Sequence, residues 1–200
     1  ATPFDEVVHP ADPERYIHIV TDDFDAALKR EMAALPLSLE QLGLAVSTGP
    51  VVDFRLKEWL QSSPGAQAVP LLYPESLQDG HVVWPPTCAR KPIAILNTKA
   101  TKQWLTPSGW YVVTRRFSAK EERRRVVAAV CPPLPFDVIG IENHLNFFHA
   151  RGKGLEPELA RGLVGFLNST LFDQYFRQYS GHTQVNATDL RATRYPTREA

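Results

Sequence analysis

Apolar positions along this chain change period twice, and those changes divide it into three stretches. Between Asp23 and Leu35, the residues Ala26, Ala27, Met32 and Leu35 fall on one side of a helix. Asp22 is the N-cap in this reading, and Pro36 ends the helix because it carries no amide hydrogen. A short strand over Tyr16–Val20 precedes it, and residues 1–15, with prolines at 3, 10 and 13, are extended. From Leu42 onward the apolar runs become short and strand-like. Leu42, Leu44 and Val46 form one run and Val51, Val52 and Phe54 the next, with Ser47-Thr48-Gly49-Pro50 as the turn between them. Val69–Tyr73, His81–Trp84 and Ile93–Leu96 repeat the theme. Trp110–Phe117 (WYVVTRRF) and Arg125–Cys131 (RVVAAVC) predict adjacent strands joined by the charged turn 118–124, and residues 139–149 predict one more. The helical period returns in Glu156–Asn168, in Ser169–Tyr179 and in a short start at Thr188-Asp189-Leu190. The fold class is therefore α+β: a single domain with several short, mainly antiparallel strands and a helical C-terminal part.

Composition supports a folded domain. Hydrophobic residues make up 44% of the 200, and seventeen prolines against eleven glycines fit many rigid connections between short elements. No apolar run approaches a membrane span and no signal-peptide pattern opens the chain, which places it in the cytoplasm. Cys88 and Cys131 form no CxxC pair, so both are expected to be buried free thiols. The chain opens on Ala1 with no methionine, the pattern of a piece of something longer.

Charge sharpens the picture. Formal net charge is zero, yet residues 1–40 carry nine acids against three bases, whereas residues 85–130 carry ten bases against two acids. Residues 1–40 accordingly form an acidic linker and N-terminal helix from an upstream domain, distinct from residues 41–200. The basic segment implies a polyanionic partner. Lys120, Arg123, Arg124 and Arg125 on the charged turn can reach phosphates. Arg115 and Arg116 face opposite sides of their strand, while Lys99 and Lys102 add cationic reach beside Thr98, Thr101 and Gln103. Trp104 and Trp110 are core residues in this reading. A second polar cluster, His182, Thr183, Gln184 and Asn186, follows Gly181, where the chain can turn tightly. Side chains that both donate and accept suit the edge of a nucleobase.

Catalytic templates fit poorly. A loop that holds a flipped base for methylation of its exocyclic amine needs Asp, Asn or Ser before Pro-Pro and an aromatic residue after it. Cys131-Pro132-Pro133-Leu134 and Trp84-Pro85-Pro86-Thr87 lack both. No glycine-rich loop follows a strand to cradle a nucleotide-like cofactor, and no Glu-x-Lys or Gly-x-Ser-x-Gly occurs. Glu142, His144 and His149 leave open a metal-dependent nuclease or nuclease-associated domain, although on an alternating strand the two histidines point to opposite faces. An interaction module whose basic hairpin docks an acidic protein is a third possibility.

Several ordered blocks carry a resemblance: VSTGPVVDFR from Val46, LLYPESLQDGHVVWP, RFSAKEERRR from Arg116, IENHLNFFH, and FLNSTLFDQYFRQYSGHTQVNATDLRATRYP from Phe166. Across roughly residues 42–196 the chain resembles the C-terminal target-recognition part of adenine-specific DNA methyltransferases from type II restriction-modification systems. The resemblance implies a non-catalytic domain that grips a short double-stranded DNA site and presents its adenine to an upstream, Rossmann-like catalytic domain. It implies no cofactor in this chain, with S-adenosylmethionine bound in the upstream domain. Arg115, Arg116, Lys120, Arg123 and Arg124 are then the backbone contacts. His182, Gln184 and Asn186 become the base readers, with Lys99 and Lys102 as further candidates.

Overall fold

The strand-forming runs fold back on one another in a computed structural model that describes residues 23–88, 90–119, 121–179 and 183–198. Its strands are β1 (Ala45–Thr48), β2 (Leu60–Gln61), β3 (Ala68–Leu72), β4 (Leu77–Gln78), β5 (His81–Val82), β6 (Ala94–Leu96), β7 (Leu105–Pro107), β8 (Tyr111–Arg115), β9 (Ala128–Cys131), β10 (Val138–Ile141) and β11 (Leu145–His149). Its α-helices are α1 (Asp23–Ala34), α2 (Pro157–Leu167), α3 (Thr170–Tyr179) and α4 (Ala187–Ala192). One sheet has six strands in the order β1-β11-β8-β9-β5-β4, the other five in the order β2-β6-β3-β10-β7. Pairing is antiparallel except for β3 with β10 and β5 with β9. The α+β architecture with mainly antiparallel strands and helices at the C-terminal end is the one the periodicity predicts.

Two-sided burial explains why the central strands are continuously apolar and not alternating. Along β8, Val112 points into a core shared with the helices, while Tyr111 and Val113 point into a core shared with the second sheet. The same division holds on β9, where Ala128 and Val130 face the helices and Ala129 and Cys131 face the other sheet. Tyr111 meets Phe147 of β11 edge to face, with ring centroids 5.9 Å apart. The order of layers is therefore helices, six-stranded sheet, five-stranded sheet. Outside the last, Trp59 and Trp104 pack against a smaller core around Leu56, Leu71 and Ile95.

α1 belongs to the helical layer. Leu28 and Met32 are buried with Leu163, Phe172 and Phe176, and Gln178 Nε2 donates to the Asp25 carbonyl at 3.1 Å. The described part of residues 1–40 thus packs in common with residues 41–200. The expected linker, the Tyr16–Val20 strand and the Asp22 cap lie outside the described residues. Two further expectations need correction. Val52–Phe54 is not a strand, because the chain enters a 3-10 turn at Asp53–Arg55. Residues 139–149 hold two strands, β10 and β11, one in each sheet, so the intervening Glu142-Asn143-His144 is the corner at which the chain changes sheets. Cys131 is buried as expected, whereas Cys88 is exposed. No helix among the described residues is long and apolar enough to cross a membrane.

Candidate nucleic-acid interface

Where β8 leaves the sheet, its last residues are held from both sides by main-chain hydrogen bonds. Arg116 N–H donates to the His144 carbonyl at 2.8 Å. On the opposite flank, Val185 N–H donates to the Arg116 carbonyl at 2.6 Å and Ser118 N–H to the Thr183 carbonyl at 2.9 Å. Phe117 and Gln184 thereby form an antiparallel bridge. Asn146, fully buried on β11, fixes the outer segment: its Nδ2 donates to the Val185 carbonyl at 2.7 Å and its Oδ1 accepts from Thr48 Oγ1 at 3.1 Å. Three stretches that the sequence offers separately, the end of the basic strand, the polar run after Gly181 and the Glu142–His144 motif, lie side by side in one ribbon.

The corner residues brace that ribbon. Glu142 is fully buried, and its carboxylate accepts the His144 backbone N–H at 2.9 Å and stands 2.5 Å from His144 Nδ1. A buried carboxylate with charge-assisted partners is stable only while those partners stay in place. Nearby, burial, followed by the Asp53 and Glu142 charges, pushes the Tyr73 phenol well above its ordinary value. Arg116 Nη1 donates to the Asn143 carbonyl at 3.3 Å. Gly49 closes the corner from the side of β1: a Cβ there would stand 2.3 Å from the Glu142 carbonyl oxygen.

His149 takes no part in this arrangement. It ends β11 while His144 precedes its start, a separation of about 16 Å at strand rise. Gly152 N–H donates to His149 Nδ1 at 3.0 Å, so Nδ1 is the acceptor, and Nε2–H faces Ser47 Oγ at 3.0 Å. Glu142, His144 and His149 are therefore not brought together. No group of three or more His, Cys, Asp or Glu side chains among the described residues is placed to hold a metal ion. Burial lowers the His149 pKa. The unfolded chain then takes up a proton at a pH where the folded chain does not, which favours unfolding as pH falls. We expect the stability contributed by this site to be complete above the ordinary histidine range and to erode as pH drops through it. Chemical denaturation at a series of pH values checks this, and a His149→Gln variant should show a flatter acid limb.

The basic turn divides between structural and free residues. Arg115 Nη1 stands 3.5 Å from Glu122 Oε2, and the other oxygen of that carboxylate accepts the Ala119 N–H at 3.0 Å. Arg123 is exposed and Arg124 half-buried, neither with an ion pair to a described residue. Arg125 corrects the sequence reading, since it is buried and its guanidinium donates to Ser118, so it does not reach phosphates. Lys99 and Lys102 are exposed in the β6–β7 connection of the other sheet, with no hydrogen bond or ion pair to the ribbon among the described residues. Gln184 is half-buried on the ribbon. Asn186 is the N-cap of α4, and its backbone N–H is taken by the Asp189 carboxylate at 3.0 Å. Lys120, Gly181 and His182 lie outside the described residues. Sequence reasoning missed Phe117, a residue 42% exposed. The available signal was its place one alternation beyond Arg115, outside the last buried pair of the strand.

No family model matches the chain. Over 199 residues it is 52% identical to the type II methyltransferase M.PstI of Providencia stuartii and 46% identical to the type II methyltransferase M.BsuBI of Bacillus subtilis. Each match takes in 98% of this chain and 39% of the relative, so the chain is similar to a part of these methyltransferases.

Proposed function

We propose that this chain is the double-stranded DNA recognition part of an adenine-specific type II DNA methyltransferase, and that catalysis and S-adenosylmethionine binding belong to another part of such a protein. The observation that carries the reading is the ribbon: Arg116 just past the end of β8, the Arg123–Arg124 turn in the connection to β9, and Gln184 bridged to Phe117 from the neighbouring segment. Arginines supply sequence-independent phosphate contacts, and a glutamine amide can pair bidentately with the major-groove edge of adenine. Likeness to the two methyltransferases supports the same assignment.

The Pro-Pro segments support a non-catalytic role. Burial pushes the Cys131 thiol up to about 12, and the side chain is fully enclosed at the end of β9. The Trp84 indole N–H donates to the Ile93 carbonyl at 2.7 Å. At the position before Pro-Pro, where such a loop needs a polar acceptor, one segment thus holds an enclosed thiol and the other an indole that only donates.

Selection of this chain against a random-sequence duplex pool tests the proposal. One short motif should be enriched. Gln184→Ala should relax the preference at one position of that motif by about 1–3 kcal/mol, the range for one lost bidentate contact. A pool that stays random through successive rounds would contradict the reading.

A further inference from the structure

Phe117 is an exposed aromatic residue in a setting built for rigidity. Its neighbours Arg116 and Ser118 are hydrogen-bonded to Val185 and Thr183, and its own position is bridged to Gln184. Its ring lies against the His144 ring with centroids 5.0 Å apart and planes at 41°. His144 is in turn fixed by the buried Glu142 carboxylate through both its ring and its backbone N–H. The Arg116 guanidinium carbon stands 5.7 Å from the Phe117 centroid. A ring ordered in this way loses little conformational freedom when something covers it.

The surroundings favour a nucleobase over a protein surface as that cover. A protein-docking face is a contiguous apolar patch with a polar rim. Phe117 instead has the Arg116 guanidinium beside its ring and Gln184 bridged to its backbone, groups suited to phosphates and base edges. Aromatic rings among cations stack on base faces, and apolar wedges inserted at a base step unstack it.

We propose that Phe117, backed by His144 and Glu142, packs against the face of a base in the bound duplex and unstacks the step it enters. The inference rests on the DNA-recognition reading and adds a named wedge residue to it. The test places 2-aminopurine, whose fluorescence rises on unstacking, at successive positions of the motif enriched by selection. Binding of the wild-type chain should brighten one position several-fold. Phe117→Leu, which keeps the apolar character but not the ring face, should abolish the brightening, and Phe117→Trp should retain it. Brightening of equal size in Phe117→Leu, or at no position although the wild-type chain binds, overturns the proposal. So does a Phe117→Leu variant that is unchanged toward DNA yet loses affinity for a methyltransferase catalytic domain, since the ring would then serve a protein contact. Failure of the wild-type chain to bind any duplex is a separate outcome, which removes the recognition reading itself and this inference with it.

Discussion

Replacement of Arg125 by alanine is expected to destabilise the chain by about 3–5 kcal/mol, the range for removing one member of a buried charged cluster. Arg125 is 1% exposed. Its backbone N–H donates to Asp173 Oδ1 at 2.6 Å, and its guanidinium donates to the Ser118 carbonyl and, at 3.2 Å, to Ser118 Oγ. Arg177 completes the arrangement, donating from Nε to Asp173 Oδ2 at 2.9 Å and from Nη2 to the Glu122 carbonyl at 2.9 Å. Together these bonds tie both ends of the basic turn to α3. Alanine leaves the Ser118 carbonyl without this donor and opens a void the size of an arginine side chain. In urea denaturation the midpoint should fall with little change in slope, and the 118–124 turn should become the first site of proteolytic nicking. A change below about 1 kcal/mol, the level of an exposed ion pair, would show that the cluster does not hold the turn.

Gly49→Ala is expected to cost about 3 kcal/mol or more, the upper range for overpacking. The added methyl would stand 2.3 Å from the Glu142 carbonyl oxygen and 2.6 Å from that of Ile141. Both are main-chain atoms in the corner between the sheets, so relief requires displacing the corner and not merely turning a side chain. Val51 N–H donates to the Ile141 carbonyl and Asn143 N–H to the Val51 carbonyl, at 3.1 and 2.9 Å, so those bonds stretch together. Gly43→Ala serves as the control: its φ of +75° strains an alanine, but nothing lies within 4 Å of the new atom, and about 1–2 kcal/mol is expected. Equal thermal stability for the two variants would refute the tight-corner account.

Much of the fold was legible because burial imposes periods on the sequence. WYVVTRRF and RVVAAVC do pair as neighbours, Val112 opposite Val130 and Val113 opposite Ala129. The C-terminal helices are where amphipathic spacing places them. β2, β4 and β7, of two or three residues, were not legible, whereas the equally short β5 and β6 fall within the apolar runs His81–Trp84 and Ile93–Leu96. Division into two sheets was also hidden: both faces of β8, β9 and β11 are apolar, and nothing local says that one face meets helices and the other meets strands. At the candidate site the residue types were informative and their assignment was not. Arg125 has the same charge as Arg123 and Arg124 but is buried, with its guanidinium turned back onto Ser118 and its backbone N–H held by Asp173 forty-eight residues away. His144 and Glu142 suggested a metal site by type, yet the fold uses them to prop the ribbon beside Phe117. That convergence comes from long-range pairing, which spacing along the chain does not encode.

The central claim is that the ribbon made by Arg116–Ser118 and Thr183–Asn186, with the Arg123–Arg124 turn beside it, is the face that meets DNA. Salt dependence of duplex binding, measured for the wild-type chain, for an Arg116→Ala/Arg123→Ala/Arg124→Ala variant and for a Lys99→Ala/Lys102→Ala variant, tests it most directly. Each lost phosphate contact should flatten the log–log salt slope by about 0.9. The arginine variant is predicted to bind more weakly at every salt concentration, with a slope shallower by about two to three units. The lysine variant, altered on the other sheet, should change less. An arginine variant that keeps the wild-type slope, or a wild-type chain that does not bind duplex DNA at low salt, would contradict the claim.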